Sequence, residues 1–208
     1  MAKGKSDNPA PDLKEKNNYN GPLLIAAITF VVFAKTLTCK FVALDDPAYV
    51  SENPFIKDLS FKGISAIFSS FYNFNYHPLT TLLYAFEFKF FGLNATAYHF
   101  ISLLIHVTNT YLVFWLILKL SKRNQIAVVC AMLFGIHPMH VESVAWVSEQ
   151  KDLLYTLFYL LSLGFYIENI QSPSRKNYLY TFLFFVASIL SKPAAITLPL
   201  VLFVFDYY

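Results

Sequence analysis

Apolar runs dominate the chain, and polar residues are confined to short breaks between them. The runs are Leu23–Thr38, His77–Leu120, Gln125–Ile136, Leu153–Ile167, Tyr178–Leu190 and Ala194–Phe205. A hydrocarbon core of ~30 Å takes roughly 20 apolar residues in helical form. By that measure several runs must extend into their flanks, or stop partway across. The second run is too long for one span and breaks at Gly92-Leu93-Asn94. Its first part opens on Pro78, which suits a first helical position, and Leu79, Leu82, Leu83, Phe86 and Phe90 line one face. That part is expected to lie in the interface or to re-enter the membrane. The span proper is expected from about Thr96 to Lys119. The pattern predicts an all-α, polytopic bundle of about six transmembrane helices.

Composition agrees. The chain is 56% hydrophobic and 18% aromatic, with 22 Phe and 14 Tyr, which suits lipid-facing helices with interfacial belts. Only 14% of residues are charged, where soluble domains carry about 25%. The net charge of +3 is spread out, with no Lys/Arg block for a nucleic-acid surface. Cys39 and Cys130 form neither a disulfide framework nor a metal spacing. Residues 1–20 are polar, with four lysines among Asp, Asn and Pro, and read as a disordered cytosolic tail ahead of a membrane domain over 21–208. No small-residue cleavage site follows the first run, so it is read as a retained helix.

Charge sets the expected orientation. With the N-terminus inside, Lys119, Lys122, Arg123, Arg175 and Lys176 are cytosolic. The outer segments carry Lys40, Lys57, Lys62 and Lys151, offset by seven carboxylates. This bias follows the positive-inside rule. Cys39–Tyr76 then becomes a long outer loop. Within it Ser60 can cap a short surface helix whose Phe61, Ile64, Phe68 and Phe71 share a face. His137–Asp152 forms a second outer loop and Ser191-Lys192-Pro193 a third.

Four polar groups fall on or near that side, each with two readings. Asp45 and Asp46 can hold a divalent cation or supply a base, since adjacent carboxylates push one pKa upward. The plain reading is a helix start, with Asp46 at the N-cap position and Pro47 at the first position. His137, His140 and Glu142 can ligate metal or grip a phosphate, or they can mark a helix start with Pro138 at its first position. His99, Ser102, His106 and Asn109 form a stripe on the second span. Ionisable residues inside a membrane point to function, whereas hydrogen bonding between helices is the plain account and is favoured for His106. Lys192 can pair with a lipid phosphate or simply reach for the interface. Asn94-Ala95-Thr96 matches a glycosylation sequon, a weak signal. The sequence demands no cofactor.

Several of these segments, taken in order, resemble the transmembrane and tetratricopeptide-repeat containing family. They are Asp45-Asp46-Pro-Ala-Tyr-Val followed by Asn53-Pro54-Phe-Ile-Lys57, then His77-Pro78-Leu79-Thr80, then His137-Pro-Met-His140-Val-Glu142-Ser143-Val-Ala-Trp146, then Lys151-Asp152-Leu, then Ser191-Lys192-Pro193 with Leu198-Pro199. The resemblance implies a GT-C type glycosyltransferase fold, related to protein O-mannosyltransferases. Such enzymes move a sugar, often mannose, from a polyprenyl-phosphate carrier to Ser or Thr hydroxyls of proteins outside the cytosol. An acidic residue of the first outer loop is catalytic, which falls here on Asp45 or Asp46. His77, His99, His137, His140, Glu142, Lys151 and Lys192 are then candidates for substrate binding. The family pattern often carries Arg before Lys151-Asp152, where this chain has Gln150; if that Arg binds phosphate, a donor group is lost. Family members continue into further spans and repeats beyond Tyr208, so the chain is expected to be the N-terminal part of the membrane domain. The expected site is the endoplasmic reticulum membrane in a eukaryote and the inner membrane in a bacterium. The rival readings are an enzyme of the same fold that glycosylates an envelope glycolipid or polysaccharide, and a non-catalytic scaffold. A transporter should show an internal repeat, and none is seen.

Overall fold

The structure is a computed structural model that describes residues 20–207. The tail expected over 1–20 falls, but for Asn20, outside the described residues. Regular structure within them is helical, apart from an isolated bridge between Tyr72 and Asn75. Helix α1 (Asn20–Phe33) tightens into a 3-10 turn at Ala34–Thr38. Loop helices α2 (Phe61–Ser69) and α3 (Pro78–Phe91) follow. Then come α4 (Ala95–Ser121), α5 (Asn124–Gly135), short α6 (His140–Ala145), α7 (Gln150–Gln171), α8 (Arg175–Ser191) and α9 (Leu198–Tyr207).

The boundaries have local causes. Ser60 accepts a hydrogen bond from the Gly63 N–H and starts α2 as expected. Pro78 opens α3, and Gly92 closes it at φ 58°, a conformation that costs a glycine little. Asn94 caps α4 by accepting from the Thr96 N–H. Lys122, left-handed at φ 54°, ends α4 and turns the chain straight into α5. Such short links make antiparallel neighbours of α4 and α5, and of α7 and α8. The bundle therefore has a hairpin end, near Ser121 and Gln171, and a loop end, where α1 finishes, α4 and α7 begin, and α8 finishes.

Three stretches are long and apolar enough to cross a membrane: Gly21–Thr38, Ala95–Ser121 and Val147–Gln171. Helix α5 has 12 residues and α8 has 17, so their lengths alone do not make them spans. Burial is inverted relative to a soluble bundle. Leu23, Val31, Val129, Leu133, Leu200 and Phe203 point outward, while Thr29, His106, Asn109, Thr110, Ser162 and Ser188 are buried. Lipid chains solvate apolar side chains, so polar ones turn inward and bond between helices, at roughly 0.6 kcal/mol each. Such bonds are present: Ser162 donates to the Thr181 carbonyl, and Ser188 to that of Tyr155. Small residues let backbones close up. A Cβ on Gly164 would sit 1.9 Å from the Trp115 ring, so α4 and α7 touch only because this position is bare.

Helix α3 shows the same inversion. Of the expected stripe, Phe86 and Phe90 are exposed and Leu79, Leu82 and Leu83 are partly buried, Leu82 against the loop core, while Thr80, Thr81, Tyr84, Ala85 and Glu87 face inward. In α2, Gly63 and Ile67 face inward, while Phe61 and Phe71 of the expected stripe are exposed. A separate small core of Tyr49, Val50, Ile56, Ile67, Tyr84, Tyr98 and Val147 fixes this loop to the bundle.

Candidate functional site

Asp46 joins the loop after α1 to the one before α7. It is 1% exposed. It stands at the expected N-cap position, but its side chain does not cap. Pro47 does open a short π-helical turn, Pro47–Ser51, but the Asp46 carboxylate makes no cap. Instead Oδ2 accepts from the Val42 N–H at 2.7 Å. Oδ1 accepts from the Ser148 N–H at 2.8 Å and from the Ser148 hydroxyl at 2.5 Å. Three donors on one buried carboxylate compensate its desolvation, which an unpaired charge would not survive. Ser148 lies 102 residues away in the chain. Asp45, next door, is only partly buried, and its carboxylate makes none of the described hydrogen bonds or ion pairs.

A set of charges follows Ser148. Glu149 Oε1 accepts from Lys151 Nζ at 2.8 Å, and Lys192 Nζ lies 3.9 Å from Glu149 Oε2 while pairing with Asp152. Lys151 also stands 5.3 Å over the Tyr49 ring. These four side chains are between 15% and 29% exposed. The Tyr49 ring is 5.3 Å from that of His77. His77 is buried with neither ring nitrogen engaged. Burial first, and then the Lys151 and Lys192 charges, holds its imidazole below the ordinary pKa. Thr80 donates to the Ser191 carbonyl at 2.9 Å, which ties the start of α3 to the end of α8 beside Lys192. Thus Asp46, His77, Lys151 and Lys192 are gathered at the loop end, with Asp45 at their edge.

The remaining sequence candidates lie differently. His99 is fully buried beneath the first loop, near Asp46, with both nitrogens unengaged. His137 and Glu142 are exposed on the second loop. His137 Nδ1 accepts from the Met139 N–H at 3.2 Å, so Pro138 sits in a turn and the helix begins at His140, not at Pro138. His140 is half-buried and packs on Phe134 at 4.5 Å and on His106 at 5.1 Å. The stripe on α4 does join helices. His106 Nε2 donates to the Gly135 carbonyl at 3.0 Å, and Asn109 Nδ2 donates to the Leu153 carbonyl at 2.9 Å.

Gln150 is fully buried. Its side chain points inward, away from the exposed charges. Nε2 lies 3.0 Å from Glu87 Oε1, 3.0 Å from the Tyr98 carbonyl and 2.9 Å from Ser102 Oγ. Two amide hydrogens are shared among three acceptors. Burial holds the Glu87 carboxyl well above the usual range, and the Gln150 bond offsets this only in part. In this chain the residue at position 150 meets a buried acid and ties α3, α4 and α7 together. Sequence reasoning missed Ser148, Tyr49 and Glu87 as members of this end. Glu87 carried a signal, being the lone acid in an aromatic run. Ser148 carried none. Among the described residues, no group of three or more His, Cys, Asp or Glu is placed to hold a metal ion.

Sequence comparison bears on what this arrangement is for. The profile of the family described as dolichyl-phosphate-mannose-protein mannosyltransferase matches residues 76–207. His77, Lys151 and Lys192 lie inside that match, and Asp45 and Asp46 before it. A Caenorhabditis elegans protein O-mannosyl-transferase is 26% identical over 205 residues, covering 90% of this chain and 28% of its own length. The Drosophila melanogaster protein O-mannosyl-transferase Tmtc1 is 26% identical over 180 residues, 83% of this chain and 21% of its own. The Homo sapiens protein O-mannosyl-transferase TMTC3 is 30% identical over 86 residues, 41% of this chain and 9% of its own. The chain thus spans less than a third of the length of these relatives. No solved structure matches it.

Proposed function

Because the chain belongs to the dolichyl-phosphate-mannose-protein mannosyltransferase family, we propose that it forms the donor-handling part of a membrane glycosyltransferase. The reaction moves a sugar, mannose, from a polyprenyl-phosphate carrier to Ser or Thr hydroxyls of a protein acceptor. In this reading the bundle is the first part of a GT-C domain of about six spans. The loop end faces away from the cytosol, in the endoplasmic reticulum or a bacterial inner membrane, and the N-terminus is cytosolic.

The observation that carries the reading is the Asp46–Ser148 tie. It holds the first loop against the second while leaving the neighbouring Asp45 carboxylate free. Asp45 is then the base, and Asp46 the group that positions it. The acceptor oxygen attacks the anomeric carbon as its proton passes to Asp45. The bond from that carbon to the phosphate oxygen breaks, and the electron pair leaves with the lipid phosphate. The sugar passes through an oxocarbenium-like state, and single displacement inverts its configuration. The departing phosphate needs positive charge. Lys192 and Lys151 supply it by exchanging their Asp152 and Glu149 partners for phosphate oxygens. His77, buried and unengaged between them, is a further donor to that phosphate.

The test is transfer by membranes holding the complete gene product, with radiolabelled polyprenyl-phosphate mannose and a Ser/Thr-rich peptide. Label should enter the peptide. Asp45→Asn should cut the rate by about 10²–10⁴-fold with membrane insertion intact, as expected for a lost general base. Undiminished transfer by that variant would remove Asp45 from the mechanism. Label in a lipid fraction instead of the peptide would move the assignment to a glycolipid acceptor.

A further inference from the structure

Between α4, α5, α6 and α7 lies a cavity of about 120 Å³. It has room for about four water molecules, at ~30 Å³ each. Larger openings among the described residues lie elsewhere, against α2 and α3 near Lys57, on the apolar flank of α1 near Pro22 and between α7, α8 and α9 near Tyr166. This small one is lined by His106, Asn109, His140, Ser143, Asp152 and Thr156, among others.

Two of those side chains are buried and only half used. His106 is fully buried and spends Nε2 on the Gly135 carbonyl, which can only accept, so the proton is on Nε2. Nδ1 of the uncharged ring is then an acceptor, and it has no partner. Asn109 is 1% exposed and spends its amide nitrogen on Leu153. Its Oδ1, also an acceptor, has no partner. Bonding between helices explains the engaged atoms and not the free ones. Buried acceptors left unmet are costly, so something that donates belongs there. The Asp152 carboxylate adds a third acceptor, and the Ser143 and Thr156 hydroxyls can turn either way.

A wall of acceptors selects a ligand rich in O–H groups. Asp152 fixes where that ligand would come from, because the same carboxylate pairs with Lys192. A phosphate held at Lys192 would carry its substituent to the cavity mouth. We infer that this cavity receives the hydroxyl-bearing edge of the donor's sugar ring, with His106, Asn109 and Asp152 as acceptors and the Ser143 and Thr156 hydroxyls as the partners that complete its recognition. The volume suits one edge of a pyranose and not a whole lipid headgroup. The inference rests on the lipid-linked sugar reading above and adds the residues that would read the sugar.

Binding to the complete gene product in nanodiscs tests it without requiring transfer. The two probes are polyprenyl phosphate and polyprenyl-phosphate mannose. The sugar should tighten binding about tenfold, the equivalent of one or two net hydrogen bonds. Thr156→Val combined with Ser143→Ala, which keep the shape of the wall, should bring the two lipids to within about threefold of each other. His106→Phe should do the same; should that variant fail to fold, the Thr156/Ser143 pair still decides. Equal binding of both lipids by the unaltered protein, or an undiminished sugar gain in the paired variant, would overturn the inference and leave the cavity to water. Binding of neither lipid would overturn the donor reading itself, and this inference with it.

Discussion

The hairpin end and the loop end of the bundle handle charge in contrasting ways. At the hairpin end a single ion pair, Lys119 to Glu168 at 2.5 Å, bridges α4 and α7, with Lys119 4.7 Å over the Trp115 ring. Both partners are part-exposed and nothing buried depends on them. At the loop end, the buried Asp46 carries three donors, Glu87 is buried as an acid, and Lys151 and Lys192 share Glu149 and Asp152. Several polar atoms there stay unengaged, including both nitrogens of His77 and of His99. The hairpin end carries a part-exposed pair, whereas the loop end buries a network of charged and polar groups.

Three measurements can break or sharpen this contrast. The largest effect is expected from Asp46→Ala, which strands the Val42 and Ser148 donors. The loop end should lose about 3–5 kcal/mol. Limited proteolysis should then cut the segment 39–76 early, while the link at Lys122 and Arg123 keeps its unaltered rate. Equal acceleration at both ends would show that the two are one cooperative unit.

A smaller effect concerns Glu87, whose pKa is raised by burial. The folded state holds this proton more tightly than the unfolded one. The acid's contribution is therefore complete below its ordinary value of 4.5 and is lost as pH rises toward the folded value. Thermal stability in detergent should fall across that rise, by at most ~1.4 kcal/mol per pH unit. Glu87→Gln should flatten the slope; an unchanged slope would assign it to other groups. The least effect is expected at the hairpin end. Lys119→Met should cost no more than about 0.5–1 kcal/mol, as for other part-exposed pairs, and should vanish within error at high salt. A loss several times larger would erase the distinction between the ends.

Much of the architecture was legible in the chain. Pro78, Gly92, Asn94 and Ser60 mark helix boundaries because their backbone or capping chemistry acts within a few residues. The stripe on α4 was legible as an inward face because helical periodicity places His99, Ser102, His106 and Asn109 together whatever they meet. What they meet was not legible. Pro138 sits in a turn where a helix start was expected, since His137 closes that turn with its own ring nitrogen. Gln150 suggested a missing phosphate ligand, yet its partner is Glu87, 63 residues away.

By itself, then, the sequence determined that this is a helical membrane chain and where several of its helices start and stop. Those features depend on hydropathy, local dihedrals and short-range capping, which act within a turn or two. Only the tertiary structure decided which of two adjacent aspartates is tied down and which is free. That choice rests on Ser148 arriving from the second loop, and a contact across 102 residues leaves no periodic trace in either segment.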